Sequence, residues 1–550
     1  MSPHYTAIPS VDEDDNVETR RNLCSWNSYP TKAIIFFTLF TLLSLGFYLH
    51  HGSADDDSLQ RTQPGIPYGV NFASWLSLED YFFVGDDGAV EVATASNDTA
   101  ARCFPPLLNN IAWHSETDLF QQLIDQRGLV EAVRALDAYR NYYFDRVVAD
   151  LPLLQAMGVR SIRVPMSWCL TSENPTMTKS TAITLDRFAC IDPFFARENV
   201  TVYWPAVPKP LIVRFLKECH RWGLKAVLDI HTYPGGTSIG TFSGVWPRPC
   251  LFWKYDDPLN DQDVGRGIFR DFLSWVESLE PKAFDGLGGI TPMNEPAHLA
   301  GMFGPGSYNP DSESFVPDYT LNDEPLVNIP DGPHLRVLRW QSDAIRAFRR
   351  TSLPSRGVDL IVNVHESIFV QALTTGDSDD PAGRHPVATQ IIADWWKLVT
   401  TQNERKEWAV LDMHHYHAWE GRCYGTVSGH DAAFRCASPQ AETVLRSCST
   451  WAQIFRGALQ EPTARLVSGE FSASTHHSVL LSCRDTRTLQ ISYEDQLQAA
   501  SAANVDLYFW AWTMPHGGAF RAAWSFRELM HRFDPSLPAD ESTATCGLRQ

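Results

Sequence analysis

From position 66 onward the chain alternates two kinds of apolar pattern. Short apolar runs rich in β-branched and aromatic residues centre on 68–72, 161–164, 226–230, 289–293, 360–364, 410–413, 466–468 and 507–509. Runs this short, bounded by turn residues, predict buried strands. Between them, 145–157, 210–222 and 335–350 carry apolar residues every three or four positions, which predicts amphipathic helices packed on a sheet. Gly158 and Gly223 stand just past the last apolar contact of two such segments, where helices stop. Eight strands alternating with helices predict a parallel sheet wrapped by helices and closed on itself, a (β/α)8 TIM barrel. The long excursions at 79–131, 171–208 and 297–333 read as loop insertions, and no internal repeat is visible.

Ahead of this pattern lies a different one. Residues 33–49 form an apolar run broken only by Thr38, Thr41, Ser44 and Gly46, barely long enough to span a bilayer. A cleaved signal peptide is the competing reading, but the polar stretch before the run is far longer than an ordinary n-region. Arg20, Arg21 and Lys32 precede the run and Asp55, Asp56 and Asp57 follow it, so the positive-inside rule keeps the N-terminus cytoplasmic. The expected organisation is a cytoplasmic disordered tail (1–32), a transmembrane signal-anchor (33–49), a stalk (50–65), a catalytic barrel (66–535) and a C-terminal tail (536–550). The chain is thereby read as a single-pass type II membrane protein, its barrel luminal or extracellular, and as a monomer.

Composition narrows the partners. A formal charge of −20 argues against nucleic acid or anionic lipid as a partner and fits a neutral substrate better. Eighteen Trp and 17 Tyr supply flat aromatic surface of the kind on which sugars stack. Of 11 Cys, ten lie beyond the apolar run, an even number able to pair in an oxidising compartment. Asn97 and Asn199 head glycosylation tripeptides suited to the same compartment. No Cys or His spacing matches a metal site, and no cofactor is expected.

Polar or aromatic residues close the apolar runs: Arg163, His231, Asn294 with Glu295, His414 with Tyr416, Glu470, and Trp510 with Trp512. Strand ends of a barrel converge on one face, so these residues can surround one substrate. Two carboxylates are what glycosidic cleavage needs, one to protonate the departing oxygen and one to attack the anomeric carbon or activate water. Either glutamate alone is more often a solvated or ion-paired surface residue. Their context differs: Glu295 stands in Thr291-Pro292-Met293-Asn294-Glu295-Pro296 and Glu470 in Val467-Ser468-Gly469-Glu470-Phe471-Ser472, each directly after an apolar run.

The Asn294-Glu295-Pro296 stretch resembles the acid/base signature of glycoside hydrolase family 5 on the fourth strand, and Glu470 is similar to that family's seventh-strand nucleophile. The resemblance runs from 66 to about 531 and is greatest to fungal exo-β-1,3-glucanases, whose opening strand Gly69-Val70-Asn71-Phe72-Ala73-Ser74-Trp75-Leu76 resembles. It implies a retaining β-glycosidase acting on a β-glucan or glucoside. Glu79 then falls at the acidic position that contacts the terminal sugar, and Arg163 at the arginine that holds the nucleophile. His231, His414, Tyr416 and Trp510 align with recognised substrate-site positions. Tyr416 would donate to the nucleophile, Asn294 would bond the sugar 2-hydroxyl, Trp510 would be the sugar platform, and Trp512 would join it or simply pack.

Two departures bear on substrate. Thr237-Ser238-Ile239-Gly240 replaces an Asn-bearing stretch, and Phe471 stands where those enzymes carry Trp. A glucosyl lipid or sterol is therefore the alternative substrate. Two further readings stand beside it: a non-catalytic carbohydrate-binding wall protein, and a metal hydrolase built on His414, His415 and His417. The last is weakened because strand alternation points neighbours to opposite faces.

Overall fold

The computed structural model describes residues 65–83, 113–238, 240–246, 251–255, 263–296, 308–309, 314–315, 333–364, 392–514 and 520–540. Eight parallel strands close into a barrel: β1 (Gly69–Asn71), β2 (Ser161–Ser167), β3 (Lys225–Thr232), β4 (Leu287–Thr291), β5 (Asp359–Asn363), β6 (Ala409–Asp412), β7 (Arg465–Phe471) and β8 (Val505–Phe509). Each of the eight predicted runs is one of these strands. The ring closes where Gly69 pairs with Tyr508 of β8 on one side and with Ser161 of β2 on the other. A Cβ on Gly69 would lie 2.4 Å from the Tyr508 ring and 2.8 Å from the Ser161 carbonyl oxygen, so only glycine lets the three chains meet.

Helices wrap the barrel as the periodicity predicts, with one extension. Between β1 and β2 the chain forms α1 (Glu116–Arg127) and the 29-residue α2 (Leu129–Met157), separated by Gly128 at φ 78°. Part of the predicted 79–131 insertion is thus regular helix. Leu119, Phe120 and Leu123 bury one face of α1, and Ser115 caps its first turn by accepting from the Asp118 amide. Gly158 ends α2 with a left-handed C-cap at φ 98°, and Gly223 follows α3 (Lys209–Arg221) at φ 68°. Further along, α4 (Val264–Glu277) and α5 (Pro333–Arg349) pack outside the barrel, and α6 (Thr486–Ala503) leads into β8.

Alternation along the strands divides the interior into layers. Val227, Ile361, Val410, Val467 and Tyr508 pack together as an apolar cluster of their own inside the barrel. One step up each strand on the same face stand Asp229 and Asp412, and one step higher His231 and His414. Apolar side chains therefore floor a polar interior.

Among the described residues three disulfides staple the loops: Cys169–Cys190, Cys423–Cys448 and Cys436–Cys483. Six of the ten distal cysteines read as able to pair are so joined, and Cys219 is a buried free thiol on the face of α3 that packs into the core. Cys103, Cys250 and Cys546 lie outside the described residues. So does the apolar run 33–49; among the described residues no helix is long and apolar enough to cross a membrane.

Candidate active site

Arg163 is the hub. It is 1% exposed, and its guanidinium reaches Glu470 Oε1 at 2.6 Å, Asn71 Oδ1 at 3.0 Å, Asn294 Oδ1 at 2.6 Å and Asp229 Oδ2 at 2.9 Å. A buried cation with fewer partners would cost several kcal/mol of desolvation (~3–5). Burial works against its charge, but Asp229, Glu470 and Asp412 outweigh burial and push its pKa up. Residues from β1, β2, β3, β7 and the turn after β4 are fixed in one network by this side chain.

Glu470 receives two hydrogen bonds, from Arg163 on Oε1 and from the Tyr416 hydroxyl on Oε2 at 2.7 Å. The strand carrying it is irregular: the register of β7 against β8 shifts between Ser468 and Phe471, which aims the glutamate inward out of turn. Gly469 makes this possible. Its Cβ would meet Asp412 Oδ2 at 2.7 Å and His414 Nε2 at 2.9 Å, while its amide donates to Asp412 Oδ1 at 2.6 Å and its carbonyl accepts from Asn71 Nδ2 at 2.9 Å. Phe471 is wholly buried against Phe509 in the core.

Glu295 follows β4 with φ 28°, a left-handed backbone that a β-substituted residue adopts at a cost. Its Oε1 lies 2.6 Å from His414 Nδ1. His414 in turn lies 3.2 Å from Asp412 Oδ2 through Nε2 and 3.5 Å from Glu470 Oε2 through Nδ1. Burial disfavours its charged form, but Glu470, Asp412 and Glu295 overcome that and hold its pKa well above the imidazole range. Burial pushes the Glu470 carboxyl up, with Glu295 adding to the effect, while His414 and Arg163 pull it down. One oxygen from each glutamate and a ring nitrogen of His414 all lie within 4.8 Å of one another.

On the other flank His231 Nδ1 donates to Asp229 Oδ2 at 2.7 Å, its Nε2 stands 3.4 Å from Asn294 Nδ2, and the ring stacks on Trp510 with centroids 5.8 Å apart. Trp510 donates its indole N–H to the Tyr81 hydroxyl at 3.2 Å, and Tyr81 donates to Glu79. Glu79 Oε1 faces His231 Nε2 at 3.7 Å and accepts no hydrogen bond among the described residues. Burial raises the Glu79 carboxyl to about 8 against the pull of His231 and Tyr81.

Nine of the ten predicted site residues thus form one connected cluster. Trp512 does not join it: wholly buried, it donates its indole N–H to Asp150 Oδ2 at 2.8 Å and packs on Phe526, a correction of its place among substrate contacts. Asn71, Asp229, Asp412 and Tyr81 belong to the cluster although the sequence reading did not single them out. The His414–His417 stretch splits as alternation requires, since His415 stacks on Trp451 at 4.8 Å and His417 is buried with its pKa lowered by burial to about 4. The Glu295–His414–Glu470 atoms are close enough to share a cation, yet Arg163 already supplies Glu470 with positive charge.

Fold and site together define a (β/α)8 barrel with two carboxylates from the ends of its fourth and seventh strands set side by side. No family model matches the chain, and no curated protein matches it. Solved structures do. A rutinosidase from Aspergillus niger is 11% identical, with 86% of this chain and 99% of that one covered at a TM-score of 0.45. An endoglucanase of Pseudomonas stutzeri is 14% identical over 72% of this chain and 86% of its own, with a TM-score of 0.34. A glycoside hydrolase 5 lichenase from Caldicellulosiruptor is 13% identical over 71% and 84%, with a TM-score of 0.39. The case for chemistry rests on the geometry above.

Proposed function

We propose that this chain is a retaining β-glycosidase of the family 5 type, with Glu470 as nucleophile and Glu295 as acid/base. The observation that carries the reading is the approach of the two carboxylates, whose oxygens lie within 4.8 Å. Retaining glycosidases hold their pair about 5–5.5 Å apart, whereas inverting ones need about 6.5–9.5 Å to admit a water. Glu470 attacks the anomeric carbon and forms a glycosyl ester as the leaving oxygen takes a proton from the Glu295–His414 pair, which shares one proton across its 2.6 Å contact. Esterification removes the Glu470 charge that favours protonated His414. Having given its proton to the leaving oxygen, the pair now holds a proton less tightly, so it stays deprotonated and is free to take one from the water that hydrolyses the ester. In this reading Asn294, held by Arg163 at 2.6 Å, bonds the sugar 2-hydroxyl.

The substrate we infer is a β-glucoside, with exo-β-1,3-glucan as the finer reading. Glu79, Tyr81, His231 and Trp510 gather polar and aromatic groups for a terminal sugar. Trp419, 60% exposed and edge-on to Tyr416 at 5.1 Å, favours the second reading, in which the departing group is a sterol or lipid with apolar surface to stack. The sequence further supports a type II membrane anchor at 33–49. A non-catalytic binding role is disfavoured because Glu295, Glu470 and Arg163 are all present and mutually engaged.

Proton NMR of the first sugar released from a β-glucoside tests the mechanism. The expected product is the β-anomer; initial α-anomer would sink the assignment of Glu470. Running laminari-oligosaccharides and a steryl glucoside in parallel separates the two substrate readings by kcat/KM.

A further inference from the structure

Outside the barrel, far along the chain from most of the catalytic residues, α4 and α5 flank a cleft of about 490 Å³. Arg266 and Arg270 line it from one helix at i,i+4 spacing, and Arg346 and Arg350 line it from the other side at the same spacing. Residues four apart share a helix face, so two rows of guanidinium look across one space. Two carboxylates stand among them. Arg266 pairs with Asp263 and, at 2.7 Å, with Asp343, which also pairs with Arg346. Arg270 and Arg350 make no ion pair among the described residues. Among the described residues that line the cleft, four positive charges stand against two negative ones, on a chain whose formal charge is −20.

A second observation points the same way. Trp340 lines the cleft floor at 1% exposure, and its indole N–H has no acceptor among the described residues. That nitrogen lies 3.2 Å from where a Cβ on Gly265 would stand, at the first turn of α4 between Asp263 and Arg266. A buried donor without an acceptor costs about 1–3 kcal/mol, and at this position it adds to the positive end of a helix. Partial burial and the charges of Arg266, Arg350 and Arg349 lower the Arg346 pKa, the direction produced by unmatched positive potential.

The geometry points to a second binding site here, for a doubly charged tetrahedral oxyanion such as a phosphate group. Guanidinium forks pair with such oxygens two at a time. Room remains beside the oxyanion for a sugar-sized substituent, so the group can be free phosphate or a phosphomonoester. An anionic bilayer is disfavoured as the source by the overall negative charge.

Titration calorimetry on the full chain in neutral detergent at low salt tests this, with inorganic phosphate, glucose 6-phosphate and glucose as probes. The expected result is one phosphate per chain, no binding of glucose, and at least about tenfold weaker phosphate binding in Arg270→Gln/Arg350→Gln. Glucose 6-phosphate binding more tightly than phosphate identifies a phosphomonoester; equal binding identifies the free anion. Hydrolysis of a soluble aryl glucoside serves as the folding control and is expected to be unchanged. Should the double variant misfold, Arg350→Lys keeps the charge but loses the fork, and several-fold weaker binding is expected. Absence of phosphate binding in the native chain, or affinity unaltered in the folded variants, overturns the proposal.

Discussion

Two neighbours hold the two oxygens of Glu470, and they differ in kind. Arg163 supplies charge and is itself woven into three other contacts, with Asn71, Asn294 and Asp229, so its removal would disturb the whole cluster. Tyr416 supplies one hydroxyl at 2.7 Å and little else to the site. Replacing it by Phe removes a hydrogen bond to a carboxylate worth about 1.5–3 kcal/mol, so kcat/KM on an aryl glucoside should fall roughly 10- to 100-fold with the fold intact. Unchanged steady-state rates in Tyr416→Phe would show that the bond does not act on the reaction. Glu116 offers a test by pH instead. Like Glu79 it is wholly buried, and burial raises its carboxyl from 4.5 to about 8 despite Arg140. The folded chain then keeps a proton that the unfolded chain releases, so stability falls as pH rises from 4.5 through 8 and levels off above. His417 acts with the opposite sign, adding stability as pH rises from about 4 to 6.5, so the window from 6.5 to 8 excludes it; His414 and His231, both raised by neighbouring carboxylates, act there with the same sign as the glutamates, so Glu116 is read from the difference between variant and native chain. In that window the urea midpoint of Glu116→Gln should decline less than that of the native chain. Parallel decline in the two would mean that Glu116 ionises normally.

The loops beyond β6 and β7 are held less by burial than by sulfur. Phe434, Ala441, Leu445 and Cys483 form a small core apart from the main one, and Cys423–Cys448 and Cys436–Cys483 close loops of 25 and 47 residues around it. Loop closure of that size stabilises by about 3–4 kcal/mol, so Cys436→Ser/Cys483→Ser should lower Tm by several degrees. Calorimetry showing no change in Tm would mean the small core suffices. The element scale is also where the sequence is most readable. Buried parallel strands such as 226–230 and 360–364 have apolar neighbours on both faces, so they stand out as apolar runs with a single polar residue inside each. The residues that end them, His231 and His414, are conspicuous for the same reason. Asp229 and Asp412 are not, because each sits inside its run; counting back two from each histidine along the strand face would have found them. Trp512 misled because β8 ends at Phe509, and past a strand's end alternation no longer says which way a side chain points. The helix α1 was hidden in an excursion read whole as insertion. The arginine cleft depends on two helices meeting, which no local pattern announces.

At the scale of the whole molecule, the apolar run at 33–49 and its flanking charges predict that the barrel is enclosed when the chain is made in microsomes. Protease added to intact vesicles should leave the C-terminal barrel whole and trim the tail ahead of the run; digestion of the barrel without detergent would reverse the topology. Synthesis has a second consequence, which follows from the Arg163–Glu470 contact. The two residues are 307 positions apart, and Trp510 reaches Tyr81 across 429. At roughly 5–20 residues per second, about 15–60 s separate the emergence of the arginine from that of its carboxylate partner. Throughout that interval the first strands carry Asn71, Arg163 and Asp229 without the segments that seal them from water, so the nascent half has no reason to close. The last strand to leave the ribosome completes the ring and the reactive centre in the same event, and enzymatic turnover therefore reports on ring closure itself.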